Sequence, residues 1–196
     1  MTDALVRRAR ALSRVIADLR AARRPHALVG GLAVSARGEP RFTRDVDLAV
    51  PVVDDAEAER VVRELIGYQP VALVEHETVR RLSTVRLRSP EGTIVDLLFA
   101  STGIEAEIVG CATPLDLPEA EAVLVARSEE LVAMKVLSMR ENRLQDRMDA
   151  FGLLSLQIDI EAVRADLELI TERGYHRGQD LLAKLDALLA EHAAGA

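Results

Sequence analysis

The sequence predicts an α+β fold, a small mixed sheet with flanking helices followed by a helical C-terminal part. Three observations predict it. Short alternating or apolar runs bounded by Gly, Pro and Asp recur between His26 and Val125. Helix-period runs take over after Ser128. No Ser/Pro/Gly-rich linker separates the two stretches, so a core over residues 1–125, with its N-terminal helix, and a helical region over 126–196 are expected to pack together and share a cleft.

Taken in order, Ala4 to Arg23 reads as an amphipathic helix with Leu5, Leu12, Ile16 and Leu19 on one side, ended by Pro25. His26 to Val29 is a short apolar strand. Gly30-Gly31 is a tight turn before a short helix, Leu32 to Arg37, stopped by Gly38 and Pro40. Arg44 to Val50 alternates, placing Asp45 and Asp47 on one face and Val46, Leu48 and Val50 on the other. Asp54-Asp55 caps a helix from Ala56 to about Ile66. Val79–Arg88 and Thr93–Phe99 flank the turn Ser89-Pro90-Glu91-Gly92 and form a hairpin, and a short strand lies near Ala122–Val125. Helices follow over Leu131–Arg143, Asp146–Leu156, Ile160–Thr171 and Gln179–Glu191, the first led by Ser128 with Glu129 and Glu130.

Composition narrows the function. The 196-residue chain carries 25 Lys and Arg against 32 Asp and Glu, a net charge of −7, which excludes a general positive field for wrapping duplex DNA but not a small basic groove. Its 3% aromatic content, without Trp, argues against base-stacking platforms. No signal-peptide h-region and no long apolar span occurs, so a cytoplasmic location without membrane attachment is expected. The single cysteine, Cys111, excludes an internal disulfide, and with no ordered base beside it reads as a buried or incidental thiol. His26 reads as structural, and His76, between Glu75 and Glu77, as at most a weak surface metal contact.

Asp45 and Asp47 are the most informative pair. Two carboxylates side by side on a strand repel each other unless a positive group lies between them, and Mg²⁺ suits hard oxygen ligands with positions left for phosphate. Gly30-Gly31 allows close backbone approach, its amides and the following helix start can receive a phosphate, and Arg37, Arg41 and Arg44 surround the same turn. Asp96 is a third acid in an apolar strand and needs a partner; all three acids converge if its strand neighbours that of Asp45. The competing reading is of ordinary solvent-facing strand acids. On the helical side, a continuous helix from Lys135 to Asp149 at about 100° per residue puts Met139, Asn142, Asp146 and Asp149 near the Lys135 face. A solvated face or internal salt bridge competes there. Arg80, Arg86 and Arg88 share a hairpin face that either meets acceptor phosphates or is simply solvated.

Gly30-Gly31-Leu32-Ala33, Arg41, Thr43 and Asp45-Val46-Asp47-Leu48 resemble the signature of polymerase-beta-type nucleotidyltransferases, closest to the AbiEii/AbiGii toxin-like family. Glu129 to Lys135 resembles that family's lysine helix, and Arg143, Gln145-Asp146 and Asp149 its Arg-x-x-Lys-Asp-x-x-Asp segment, with Gln145 departing from the usual basic residue. The resemblance covers about residues 26–156. It implies a nucleotidyltransferase fold and Mg²⁺-dependent (or Mn²⁺-dependent) transfer of a nucleoside monophosphate from an NTP, ATP among them, to an acceptor hydroxyl. It implies metal ligation by Asp45, Asp47 and Asp96, nucleotide contacts from Gly30, Gly31, Arg41, Thr43, Arg44 and Lys135, and catalytic roles for Asp45, Asp47, Lys135 and either Asp96 or Asp146. A tRNA or other RNA end, a protein side chain and an antibiotic are the acceptor classes it leaves open, and a cognate antitoxin protein is the implied partner. A non-catalytic nucleotide-binding or regulatory module of the same fold, and a phosphate hydrolase using the same acids, are the alternatives.

Overall fold

A computed structural model describes residues 3–118, 120–140 and 143–195, without the side chains of 120, 121 and 195. Asn142 lies outside the described residues. The chain runs α1 (Asp3–Ala21), β1 (Ala27–Val29), α2 (Gly30–Arg37), β2 (Val46–Ala49), α3 (Asp55–Glu64), β3 (Gln69–Glu75), β4 (Leu82–Arg88), β5 (Ile94–Leu98), α4 (Glu105–Cys111), β6 (Thr113–Leu117), β7 (Ala120–Val125), α5 (Ser128–Ser138), α6 (Leu144–Leu154), α7 (Ile160–Glu172) and α8 (Leu181–Gly195). This is the expected mixed α+β architecture. The seven strands form one sheet in the order β3-β4-β5-β2-β1-β7-β6, parallel at β2–β5 and β1–β7 and antiparallel elsewhere.

The sheet has two chemically different faces at its centre. Leu28, Leu48, Leu97, Val85 and Leu87 are fully buried on one. Register sets Asp47 beside Asp96 and Asp96 beside Arg86, so the opposite face carries a polar row across three adjacent strands, β2, β5 and β4, with Val29 of β1 at its end. Helix α1 packs against β2 and β7 through Leu12, Val15, Ile16 and Leu19, while α3 packs against β4. Helix α5 is apolar nearly all round, as a central helix must be, and contacts α2, α6, α7 and α8. One hydrophobic cluster runs from Leu12 to Leu188 and joins sheet and helices.

Several boundaries differ from expectation. Strand β2 begins at Val46, so Asp45 stands just before it. The helix expected to continue from Lys135 to Asp149 is two helices: α5 stops at Ser138, and Met139 turns extended with its N–H still donating to the Lys135 carbonyl. A single helix from Ser128 to Leu154 would be about 40 Å long and would carry Leu153 and Leu154 away from the core; folding back buries them against α5. The edge strand β3 is exposed along its whole length and carries Pro70, which an edge tolerates; without alternation the sequence does not reveal it. Cys111 is exposed and His76 is buried, its Nδ1 accepting from the backbone N–H of Thr78, so His76 is not a surface contact. His26 is buried, with Nδ1 bonded to the Arg24 carbonyl. No helix among the described residues is long and apolar enough to cross a membrane.

Candidate active site

A cleft of about 730 Å³ opens where the polar row of the sheet faces α5 and the start of α6. Gly30 builds its floor. At φ +65° it occupies the left-handed region, and a Cβ there would lie 2.1 Å from Asp47 Oδ2, so glycine is what lets the Asp47 carboxylate sit against the first turn of α2. The Gly31 N–H donates to that carboxylate, and a Cβ on Gly31 would meet Thr43 Oγ1 at 2.7 Å and Arg41 Nη2 at 2.8 Å. The two glycines bring backbone amides, Asp47, Thr43 and Arg41 into one small volume.

The three strand acids converge. Asp45 and Asp47 line the cleft with Asp96, and burial together with the Asp96 and Asp45 charges pushes the Asp47 carboxyl up to about 6. Burial also raises Asp45, against the opposing pull of Arg86. Arg86 lies at the centre of the group: its Nε and Nη2 donate to the two Asp96 oxygens at 2.9 and 2.6 Å, and Nη2 is 3.7 Å from Asp45 Oδ2. Arg86 thus gives Asp96 a positive partner from within the chain, while Asp45 and Asp47 both remain raised. Among the described residues no group of three or more His, Cys, Asp or Glu is arranged to hold a metal ion.

Across the cleft, Lys135 is buried at the apolar helix and its Nζ reaches Asp146 Oδ1 at 2.8 Å and Asp149 Oδ2 at 2.7 Å. Burial alone would raise Asp149, but hydrogen bonds from Lys135 and Gln145, the Lys135 charge and the Arg41 bond hold it below its ordinary value. Arg41 Nη2 donates to Asp149 Oδ2 at 2.8 Å, and Arg143 pairs with Asp146 at 3.1 Å. Arg41 therefore bridges the glycine turn to α6. The meeting of Lys135 with Asp146 comes from the fold-back of α6 on α5, not from helical phase along one helix.

The structure brings together Gly30, Gly31, Arg41, Thr43, Arg44, Asp45, Asp47, Asp96, Lys135 and Asp146 around one cleft. Arg37 turns away, donating to the carbonyls of Val125 and Ala126 and to Thr113 Oγ1, and so ties α2 to β7. Arg80 also lies apart, paired with Glu75. The place of Arg86 beside Asp96 was not anticipated, although the Ser89–Gly92 turn carries the signal: counting outward from it pairs Arg88 with Ile94 and Arg86 with Asp96.

Paired carboxylates beside a glycine-opened helix start, on a mixed sheet with a lysine helix opposite, define a nucleotidyltransferase-like fold. The family described as "Nucleotidyl transferase AbiEii toxin, Type IV TA system" matches residues 10–194, and the chain belongs to it. No curated protein matches the sequence significantly. Among solved structures, the antibiotic-resistance factor ANT(2'')-Ia in solution is similar at 17% identity and TM-score 0.51, over 96% of this chain and 97% of that one. Lincosamide antibiotic adenylyltransferase LnuA, lincomycin-bound, is 16% identical over 76% of this chain and 97% of that one, with TM-score 0.49. An antigenic nucleotidyltransferase-like protein from Paracoccidioides brasiliensis is 19% identical over 92% and 93%, with TM-score 0.49. At 17% identity the likeness to ANT(2'')-Ia concerns the fold alone.

Proposed function

We propose that this chain transfers a nucleoside monophosphate from an NTP to an acceptor hydroxyl, and that the convergence of Asp45, Asp47 and Asp96 beside the Gly30-Gly31 turn carries that reading. Hard carboxylate oxygens fit Mg²⁺ or Mn²⁺, and Asp45 and Asp47, with Asp96 once released by Arg86, are the residues that would hold it. Bound there, the ion would neutralise triphosphate charge and polarise the α-phosphorus. The amides of Gly30 and Gly31 and the side chains of Thr43, Arg41 and Arg44 receive phosphate oxygens from the sheet side. Lys135, held between Asp146 and Asp149, offers a fixed positive charge from the other.

In this reading the acceptor oxygen attacks the α-phosphorus, the bond to the β-phosphate oxygen breaks, and pyrophosphate leaves. The hydroxyl proton passes to a carboxylate. We assign that role to Asp96, which is in register with Asp47, and to Asp146 the orientation of Lys135, to which it is hydrogen-bonded. Family membership makes a toxin role, an RNA acceptor such as a tRNA end, a cognate antitoxin protein and a cytoplasmic setting parts of the same proposal.

The test uses α-labelled and γ-labelled NTPs with Mg²⁺ and total RNA. The reading expects α-label, and not γ-label, on an acceptor, and its loss in Asp47→Asn. Release of inorganic phosphate with no acceptor labelled would indicate hydrolysis instead, and NTP binding without any turnover would indicate a binding module.

A further inference from the structure

Lys184 on α8 is half-buried. Burial lowers its ammonium, and the charges of Arg140 and Arg177 lower it further, with no carboxylate opposing them. Its Nζ donates to the Met139 carbonyl at 2.9 Å, at the C-terminal end of α5, and to Gln179 Oε1 at 2.6 Å. These neutral acceptors take two of the three donors of an ammonium. Elsewhere the arginines of this acidic chain meet carboxylates, as in Arg24 with Glu57 and Glu64, Arg81 with Asp55 and Arg173 with Glu107. Arg177 itself feels the charges of Glu77 and Glu105. Neither Lys184 nor Arg140, exposed in the connection between α5 and α6, forms an ion pair among the described residues.

Both cations line a hollow of about 300 Å³ between α6 and α8, a volume at the lower end for small-molecule sites. Glu191 is the one acid lining it among the described residues, and Arg147 of α6 is paired with it. Arg143, also at the hollow, is drawn toward Asp146 at 3.1 Å. Lys184 and Arg140 are therefore the charge left for a ligand. The rest of the wall is apolar: Met139, Leu188 and Leu144, the last 70% exposed. A bare inorganic anion would answer the cations and leave that wall wet. A neutral apolar molecule would cover the wall and leave Lys184 uncompensated. A compact body with one anionic group answers both.

We propose that this hollow is a second binding site, which takes a small organic anion: one carboxylate or phosphate group at Lys184 and Arg140, on an apolar or aromatic body packed against Leu144, Met139 and Leu188. The hollow adjoins the cleft, sharing Arg143 and Leu144 with it. The proposal does not depend on the nucleotidyl-transfer reading.

Two methionines make the test site-resolved, because Met139 lines the hollow and Met134 the cleft. The full chain, labelled at its methionine methyl groups, is titrated with benzoate, phenyl phosphate, inorganic phosphate and benzyl alcohol, without NTP or metal, and followed by NMR. A saturable shift of the Met139 resonance is expected with benzoate or phenyl phosphate, with Met134 little moved; the two arms tell which anionic group fits. Inorganic phosphate, lacking the body, and benzyl alcohol, lacking the charge, are each expected to bind about tenfold more weakly. Lys184→Leu, which removes a charge-assisted hydrogen bond, is expected to weaken the organic anion about tenfold. Arg140→Gln, at an exposed position where the fold tolerates change, is expected to weaken it in the same direction. Absence of a saturable Met139 shift with both organic anions would overturn the proposal. So would a Met134 shift as large as that of Met139, which would put the anion in the cleft. Affinity unchanged in both variants, or inorganic phosphate or benzyl alcohol binding as tightly as the organic anions, would overturn it equally.

Discussion

Gly30 and Lys135 show how single residues shape the cleft. A methyl group at Gly30 meets the Asp47 carboxylate and also forces a non-glycine residue to φ +65°. Gly30→Ala is therefore expected to destabilise the chain by about 1–3 kcal/mol and to reduce nucleotide affinity, read by urea unfolding and calorimetry; unchanged values would mean that the turn is not tightly packed. Lys135 bridges two carboxylates whose side chains are 10% and 1% exposed. Lys135→Met leaves Asp146 to Arg143 and Asp149 to Arg41 and Gln145, and removes the one cation they share, so a loss of about 3 kcal/mol is expected in denaturant unfolding. Arg86 makes the complementary case. Arg86→Gln removes the positive partner of Asp96 and is expected to cost about 1–2 kcal/mol without divalent ion. It is also expected to increase the rise in melting temperature on adding Mg²⁺, since a ligand that binds only the folded chain stabilises it. An equal Mg²⁺ response in both proteins would show that Arg86 does not stand in the ion's way.

At the scale of elements, the hairpin was legible in the sequence because local chemistry determines it, whereas the expected Gly30-Gly31 turn proves to be the first residues of α2. The turn residues Ser89–Gly92 define the β4–β5 register, and Gly30-Gly31 marks the end of β1. Before helix α4 the Glu105 carboxylate accepts from the N–H groups of Ser101, Thr102 and Gly103, a polar turn that the sequence reading passed over. The break between α5 and α6 left no sign, because no Gly or Pro occurs from Ser138 to Arg143 and the fold-back is driven by distant burial. The contact of α5 with α7 supplies a pH prediction. Burial and the charge of Glu130, offset by Arg127 and reinforced by Glu107 and Glu129, push Asp166 up to about 6. Its pKa is raised on folding, so the penalty is complete above about pH 6 and is relieved as the pH falls toward the unfolded value near about 4. Asp166→Asn is expected to raise stability at neutral pH by about 1 kcal/mol and to flatten the unfolding free energy across that window. A variant no more stable than the parent at neutral pH would contradict this.

For the whole molecule, the distribution of charge says more than its total. A net charge of −7 argues against a general positive field, yet the fold brings Asp45, Asp47 and Asp96 into the cleft and sets Arg140, Arg177 and Lys184 in the hollows beside it. Composition has no access to that segregation, because these cations come from three connections and helices far apart in sequence. The acid pair and the glycine pair were legible because their residues are close in the chain; the closing of the site by α6 was not, because it depends on how two helices pack. The central claim is that Asp45 and Asp47 form the place where a divalent ion meets a triphosphate. Its most direct test is a crystal structure with Mn²⁺ and a non-hydrolysable NTP, using the anomalous signal to locate the ion. The account predicts Mn²⁺ bound to Asp45 and Asp47, the phosphates against Gly30 and Gly31, and Arg86 swung off Asp96. Mn²⁺ and nucleotide bound elsewhere, with the Arg86–Asp96 pair intact, would contradict it.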